Sequence, residues 1–241
     1  MRTPAAALLR TPLAHQVGDD LVQRILSGEY RPGETLPSEA ALAGEYGVSR
    51  PVVREALKLL WAQGLVVSHA GRGAVVQELN ERPLALFFDR LLRSLEPAAL
   101  LDLLAVRRQL ESMGTALAAE KSDGEQLAQL RALLERMGDA INDFETFRDL
   151  DVEFHILLAR CSKNEFLYYL TVSIRDSLAK VIDQLRSHDY QSSLDQLHRY
   201  HARIVDAIEA GDPQAARRAM EEHFDHVIGR IETAVNASTS E

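Results

Sequence analysis

Cysteines and long apolar runs are scarce in this sequence, which limits the classes of protein it can belong to. Cys161 is the single cysteine among 241 residues, so no disulfide can form within the chain. One thiol fits a reducing cytosol, and we interpret Cys161 as a small apolar core residue. No apolar run approaches the ~18 residues of a membrane span. The apolar patch at residues 5–9 is too short for a signal-peptide core. We therefore expect a cytoplasmic protein without a membrane partner.

Basic residues are also fewer than acidic ones, which gives the chain a net charge of −9. That balance argues at first against nucleic-acid binding. However, residues 1–78 contain eight basic and eight acidic side chains. The rest of the chain has 19 basic and 28 acidic side chains, so the whole excess of negative charge lies there. DNA affinity depends on a local basic surface rather than on the whole-chain sum. A length of 241 residues fits one large domain or two of ordinary size, and the charge asymmetry sets the N-terminal part apart.

The N-terminal part shows three helical segments. Apolar residues at helical spacing predict a helix over residues 13–26. Ser38 is a good N-cap for a short second helix, which Gly47 ends because glycine adopts the left-handed conformation at low cost. We expect Ser49 to cap a third helix that ends at Gly64.

A β-hairpin is predicted directly after the third helix. Two short β-type runs cover residues 65–67 and 74–76, and a glycine-rich loop at 69–73 joins them. The order helix, helix, turn, helix, hairpin is that of a winged helix-turn-helix, which we assign to residues 10–78.

The pattern changes after residue 82, where β-type runs disappear. Long amphipathic stretches predict helices over residues 84–94, 97–120, 123–141, 144–161, 164–187, 190–210 and 213–235. The sequence thus predicts a mainly α fold, in which the winged helix-turn-helix precedes a C-terminal antiparallel all-α bundle over residues 83–236.

The third helix presents basic residues at regular spacing. Arg50, Arg54 and Lys58 are four residues apart and therefore lie on one face. Arginines near the N-terminal end of a helix suit entry into the major groove. The alternative is a merely solvated basic face, which the helix-turn-helix context disfavours. Together with the glycine-rich wing tip, the predicted DNA-binding residues are Ser49, Arg50, Arg54, Lys58, His69, Gly71 and Arg72.

The motifs of this part resemble the GntR family of bacterial transcription factors. The resemblance covers residues ~12–78 and is carried by Leu36-Pro37-Ser38-Glu39, Gly47-Val48-Ser49-Arg50, Val53-Arg54-Glu55-Ala56-Leu57 and Gly71-Arg72-Gly73. In that family the arginines matching Arg50 and Arg54 contact DNA, as does the wing tip. The resemblance implies a double-stranded DNA operator as partner. Ala40 departs from the family, since many members carry arginine there, so one common DNA contact is missing.

A second set of candidate residues lies in the C-terminal part. Asp151 and His155 are four residues apart and project from one helix face, and His201 and His223 follow on later helices. Three imidazoles and a carboxylate suit a divalent transition metal, with zinc, nickel or manganese all compatible. Spacing alone leaves the alternative that these are ordinary helical histidines, since the chain has eight.

The C-terminal segments are similar to the FCD ligand-binding domain of the FadR subfamily of GntR regulators. The similarity is carried by Val106-Arg107-Arg108-Gln109-Leu110-Glu111, by Asp151-Val152-Glu153-Phe154-His155 and by the segments that contain His201 and His223. In metal-containing members of this subfamily the matching aspartate and three histidines bind the ion, for which zinc is our first expectation. The resemblance also implies that Arg107 clamps an effector carboxylate. An intrahelical pair with Glu111 is the alternative role, and both can hold.

These observations predict a DNA-binding transcriptional regulator rather than an enzyme. We expect a homodimeric repressor whose operator binding responds to a small organic acid or sugar acid bound at the metal site. A rival interpretation is a metal-dependent enzyme that acts on a small carboxylate and carries a DNA-binding domain. A third is a vestigial site in a bundle that serves only for dimerisation.

Overall fold

The computed structural model describes residues 11–69, 73–94, 99–184 and 194–238. The chain divides into two compact units, Met1–Pro83 and Leu84–Glu241. The described part of the first unit forms three helices and a hairpin, with bounds α1 Leu13–Leu26, α2 Glu39–Tyr46, α3 Arg50–Ala62, β1 Val66–His69 and β2 Gly73–Val76. This is the winged helix-turn-helix that the sequence predicts.

Local sequence signals determine how α2 begins and ends. The Ser38 hydroxyl accepts a hydrogen bond from the Ala41 N–H at 3.2 Å, as predicted for an N-cap. Gly47 ends the helix in the left-handed conformation with φ 64°, and its N–H donates to the Ala43 carbonyl. Both predicted boundaries of this short helix are confirmed.

The prediction that the Ser49 side chain caps α3 is wrong. Ser49 occupies the N-cap position with an extended backbone, but its hydroxyl accepts no hydrogen bond from the first turn. Pro51 has no N–H to offer, and the N–H of Val52 donates to the Ser49 carbonyl at 3.0 Å instead. The first-turn donors are therefore absent or already taken.

The hairpin is antiparallel and pairs Val66 with Val76 and His69 with Gly73. Its first strand begins one residue later than predicted, because the Leu65 N–H still donates to the Leu60 carbonyl at the end of α3. A further pairing was not predicted: Thr35 forms a β-bridge with Val75, and the Leu36 N–H donates to the Ala74 carbonyl at 2.8 Å. The core of this unit is formed by Val17, Leu21, Leu36, Leu42, Val53, Ala56, Leu60, Leu65, Val66 and Val76.

The described part of the second unit is all-helical, as predicted. Its helices are α4 Arg82–Ser94, α5 Ala99–Lys121, α6 Gly124–Asp139, α7 Phe144–Cys161, α8 Glu165–Gln184, α9 Leu194–Glu209 and α10 Pro213–Ser238. Loops of three or four residues connect α6 to α7, α7 to α8 and α9 to α10, and each of these pairs packs together. Short loops between packed helices produce antiparallel neighbours.

Some predicted helix ends differ from the structure, and others lie outside the described residues. The predicted segment 123–141 ends at Asp139, because Ala140 leaves the helical conformation with φ −92° and ψ 8°. The predicted start at Pro97, and the boundary between the segments 164–187 and 190–210, lie outside the described residues. Cys161 is fully buried in the core, as its apolar interpretation predicts.

Helix α5 has a central position in this unit. It packs against α7, α9 and α10, and it also contacts α8. The helices that carry the candidate site residues, α7, α9 and α10, therefore share α5 as a neighbour. No helix within the described ranges combines the length and the apolar character needed to cross a membrane.

Candidate functional site

Four side chains far apart in the sequence meet inside the helical unit. Asp151 and His155 come from α7, His201 from α9 and His223 from α10. One nitrogen of each imidazole lies within 4.8 Å of the others. The Asp151 Oδ1 atom is 3.1 Å from His201 Nε2 and 3.9 Å from His155 Nε2. The structure thus brings together all four residues of the predicted metal site.

The histidines of this cluster are buried, whereas the aspartate borders solvent. His155, His201 and His223 are 5%, 0% and 3% exposed, and the Asp151 side chain keeps 32% exposure. Aromatic rings hold the imidazoles in place, with the Phe154 ring centroid 4.6 Å from that of His201 in an edge-on contact. Asp151 is thus the member of the cluster with the most solvent exposure.

Several nitrogens of the cluster lack hydrogen-bond partners. Within the described part of the chain, His155 Nδ1, both ring nitrogens of His201 and His223 Nδ1 are buried without a well-aligned hydrogen bond. Buried polar atoms are normally satisfied, since leaving one unpaired costs about 1–3 kcal/mol. A bound cation would satisfy the nitrogens of His201 and His223 that face the cluster, whereas His155 Nδ1 faces the Glu111 carboxylate. The residues therefore fit a transition metal.

Burial keeps two of the imidazoles neutral. It lowers the pKa of His223 well below its ordinary value, and repulsion from the neighbouring histidines adds to the effect. Burial likewise lowers the pKa of His201, although the nearby Asp151 carboxylate opposes this. Burial alone would raise the pKa of Asp151, but the His201 contact and the surrounding imidazoles lower it below its usual range. Asp151 therefore offers an ionised carboxylate, and His201 and His223 offer neutral nitrogens, which are the forms that bind metals.

Glu111 is a buried carboxylate beside this cluster, and its contact with His155 was not predicted. Its Oε1 accepts a hydrogen bond from Arg107 Nε at 2.6 Å, and its Oε2 lies 2.5 Å from His155 Nδ1. Burial opposes ionisation of Glu111, but Arg107 and His155 outweigh it and lower the pKa of Glu111. Burial also opposes protonation of His155, and Glu111 in turn raises the pKa of His155. The sequence shows an acidic residue one helical turn after Arg107, but only the packing of the helices shows that it is buried and that it contacts His155.

Other polar residues of this unit stay outside the cluster. His198 Nε2 is 3.0 Å from the Leu134 carbonyl oxygen, and His226 stacks near Tyr200 with ring centroids 5.3 Å apart. Glu153, which lies between the two α7 ligands in the sequence, is exposed and pairs with Arg136 at 3.4 Å. Helical spacing alone does not separate these residues from the four that meet.

The basic face of α3 is exposed in the winged unit. Arg50 and Arg54 are exposed, and Arg54 forms two hydrogen bonds to Glu39, at 3.1 and 2.8 Å. These bonds raise the pKa of Arg54 and lower that of Glu39, so both stay charged. Lys58 Nζ pairs with Glu55 at 2.8 Å. The Glu39 partner was not predicted, because the two residues belong to different helices.

The remaining predicted DNA-binding residues are less fully described. Ser49 is exposed at the start of α3. Only the backbone of His69 is described, at the end of β1, whereas Gly71 and Arg72 lie outside the described residues. The part of the interface that the structure shows is therefore the α3 surface.

A winged helix-turn-helix joined to an all-helical domain defines a class of protein, the DNA-binding transcriptional regulator with a ligand-binding domain. Sequence comparisons give the family. The profile of "Bacterial regulatory proteins, gntR family" matches residues 13–76, and that of the "FCD domain" matches residues 102–226. The chain belongs to the GntR family, in its FadR subfamily with an FCD domain.

Individual relatives agree with this assignment. The chain is 35% identical over 208 residues to the HTH-type transcriptional regulator LutR of Bacillus subtilis, covering 84% of this chain and 94% of that protein. It is 31% identical over 222 residues to the HTH-type transcriptional repressor NanR of Salmonella newport, covering 91% and 85%. Among solved structures, Streptococcus agalactiae GntR superposes with a TM-score of 0.74 at 27% identity, over 90% of this chain and 99% of that one.

Proposed function

We propose that this regulator is a repressor whose FCD domain binds a divalent transition metal through Asp151, His155, His201 and His223. One observation carries the proposal: four residues from three helices converge, and buried nitrogens of His201 and His223 accept or donate no well-aligned hydrogen bond within the described residues. The donor set of three nitrogens and one carboxylate oxygen suits zinc first, and also nickel or manganese. Such an ion, when bound, supplies a Lewis-acidic centre that attracts carboxylate oxygens.

The effector that we propose is a small organic acid or sugar acid. Arg107 is the cation next to the cluster, and its side chain is 13% exposed. It uses Nε for Glu111 and lies over the Phe224 ring at 5.4 Å. Within the described residues its two terminal nitrogens form no further hydrogen bond, so they can still bind a carboxylate with two parallel bonds. Pairing with Glu111 and clamping an effector are therefore compatible roles.

In the proposed DNA-binding role, the exposed face of α3 contacts bases and phosphates of the operator. We propose that Ser49, Arg50, Arg54 and Lys58 contact the operator, together with His69, Gly71 and Arg72 of the wing. A homodimer would present two recognition helices to a two-fold symmetric operator in the cytosol. Effector binding shifts operator affinity only as far as the effector's affinities for the free and DNA-bound arrangements differ.

Elemental analysis of the purified protein tests the metal site. We expect about one equivalent of metal in the parent, as one four-residue site implies, and none in the His155→Ala/His201→Ala variant. A His15→Ala/His226→Ala variant loses two histidines outside the cluster and should keep its metal. A parent protein that stays metal-free after incubation with zinc, nickel and manganese contradicts the proposal.

A gel-shift titration at fixed salt tests the DNA-binding role. Operator sequences enriched from random duplex DNA by the full-length protein provide the probe. The Arg50→Ala/Arg54→Ala variant should bind at least about tenfold more weakly, whereas Arg136→Ala/Arg160→Ala, which changes two exposed arginines of the helical unit, should bind normally. Equal losses in both pairs would show that the effect is general charge.

Effector response is measured with the same operator. A thermal-shift screen of organic and sugar acids identifies binders, because a ligand of the folded state raises apparent stability. Each binder is then added at saturation to the gel-shift titration. Unchanged operator affinity with every binder would refute the regulatory mechanism and leave only a DNA-binding protein.

A further inference from the structure

We propose that Glu111 is a positioning residue that holds His155 with its Nε2 atom towards the cluster and links this imidazole to Arg107. The inference rests on the proposed metal site, because it concerns which nitrogen of His155 serves as the ligand atom. Glu111 itself lies outside the set of four ligands and acts through His155.

The two oxygens of Glu111 have different partners. Oε1 accepts the hydrogen bond from Arg107 Nε at 2.6 Å, and Oε2 lies 2.5 Å from His155 Nδ1. The other ring nitrogen, Nε2, is on the side of Asp151, at 3.9 Å from Oδ1. The Glu111 carboxylate thus faces the Nδ1 atom of His155, and Nε2 is the nitrogen left for a ligand role.

Glu111 has little freedom to move from this position. The residue is 6% exposed, and beside it lies a cavity of about 10 Å³ whose lining includes Thr115, His155 and Thr171. That volume accommodates at most about one water molecule. A carboxylate in such a place is stable only when paired, and Arg107 supplies the compensating charge on the same helix. Arg107 therefore stabilises the ionised Glu111 carboxylate next to His155.

The contact between Glu111 and His155 Nδ1 determines which imidazole nitrogen can act as the ligand atom. A neutral imidazole carries its proton on one nitrogen and a lone pair on the other. A carboxylate at Nδ1 favours the proton on Nδ1, so the lone pair is left on Nε2, and it also makes the ring a stronger donor. Loss of such a partner typically weakens metal binding by about 10–100-fold.

The Glu111→Gln variant tests this role, because it keeps the size of the side chain and removes the charge. If the amide oxygen keeps the Arg107 hydrogen bond, the amide NH₂ faces Nδ1 and favours the proton on Nε2, the opposite arrangement. We expect Zn²⁺ affinity, measured by competition with a chromophoric chelator, to fall about 10–100-fold in the full-length protein. The matched control is Glu153→Gln, an exposed residue of α7, which should bind Zn²⁺ like the parent.

The second measurement needs no variant and holds even if Glu111→Gln fails to fold. Long-range ¹H–¹⁵N correlation spectra of the Zn²⁺-loaded parent report which imidazole nitrogen carries the proton. His155 should show a protonated Nδ1 and a metal-bound Nε2. Coordination of His155 through Nδ1, or equal Zn²⁺ affinity in Glu111→Gln and the parent, overturns the role of Glu111 and leaves the metal site intact. A parent that binds no Zn²⁺ overturns the proposed metal site as well.

Discussion

Gly114 of α5 provides a test of the helix packing beside the candidate site. A Cβ atom built on Gly114 would overlap Cδ2 of Leu167 on α8, and Leu167 is 3% exposed. Carbon atoms prefer separations of about 3.5–4.0 Å, so Gly114→Ala forces Leu167 or the two helices apart. Overpacking of this kind costs about 1–3 kcal/mol, and the better helix propensity of alanine returns at most about 1 kcal/mol.

Gly229 is the matched control, because it also lies inside a helix, α10, but has no atom within 4 Å of a built Cβ. Gly229→Ala should therefore stabilise the protein by up to about 1 kcal/mol. The propensity gain cancels in the comparison, so Gly114→Ala should be less stable than Gly229→Ala by about 1–3 kcal/mol. Urea unfolding followed by circular dichroism measures both variants. Equal shifts in the two variants would contradict the overpacking cost at Gly114, because they would mean that Leu167 makes room for the methyl group without loss of stability.

Two further predictions concern the winged unit. Burial and the hydrogen bond to Asp20 raise the pKa of Tyr46 to about 12, whereas the ordinary value for tyrosine is about 10. The contribution of the protonated Tyr46 to stability is therefore complete below pH 10 and is lost as the pH rises towards 12. Tyr46→Phe should therefore lessen the alkaline loss of stability in thermal unfolding between pH 9 and 12, and an unchanged pH profile would contradict this. Ser38→Ala removes the N-cap of the eight-residue α2 and should lower the unfolding free energy by about 1 kcal/mol, whereas Ser38→Asp should not; equal stability of all three proteins would show that the cap is dispensable.

Features that depend on neighbours within one helix or turn could be predicted from the sequence alone. Ser38 and Gly47 mark the ends of α2 because the capping hydrogen bond and the left-handed turn are local interactions. The four-residue spacing of Asp151 and His155 places both on one face of α7 for the same reason. The fold class follows from the order of such segments, and the resemblance to a family of regulators came from short motifs.

The predictions for Ser49 and Leu65 were wrong because each depends on which of two possible hydrogen-bond partners a backbone group takes. Ser49 has the right residue type for a cap, yet Pro51 and the Val52 hydrogen bond leave it no partner. Leu65 has strand propensity, yet its N–H completes the last turn of α3. In each case a backbone group with two possible partners takes the one that the neighbouring element provides.

Which distant side chains meet depends on the packing of the helices. Packing brought three of the described histidines into the cluster, placed Glu39 against Arg54 from a different helix, and gave Glu111 a second partner on α7. Helix periodicity determines the face on which a residue lies but carries no information on which helix packs against that face. That choice depends on the close packing of whole helices, to which every side chain at the interface contributes.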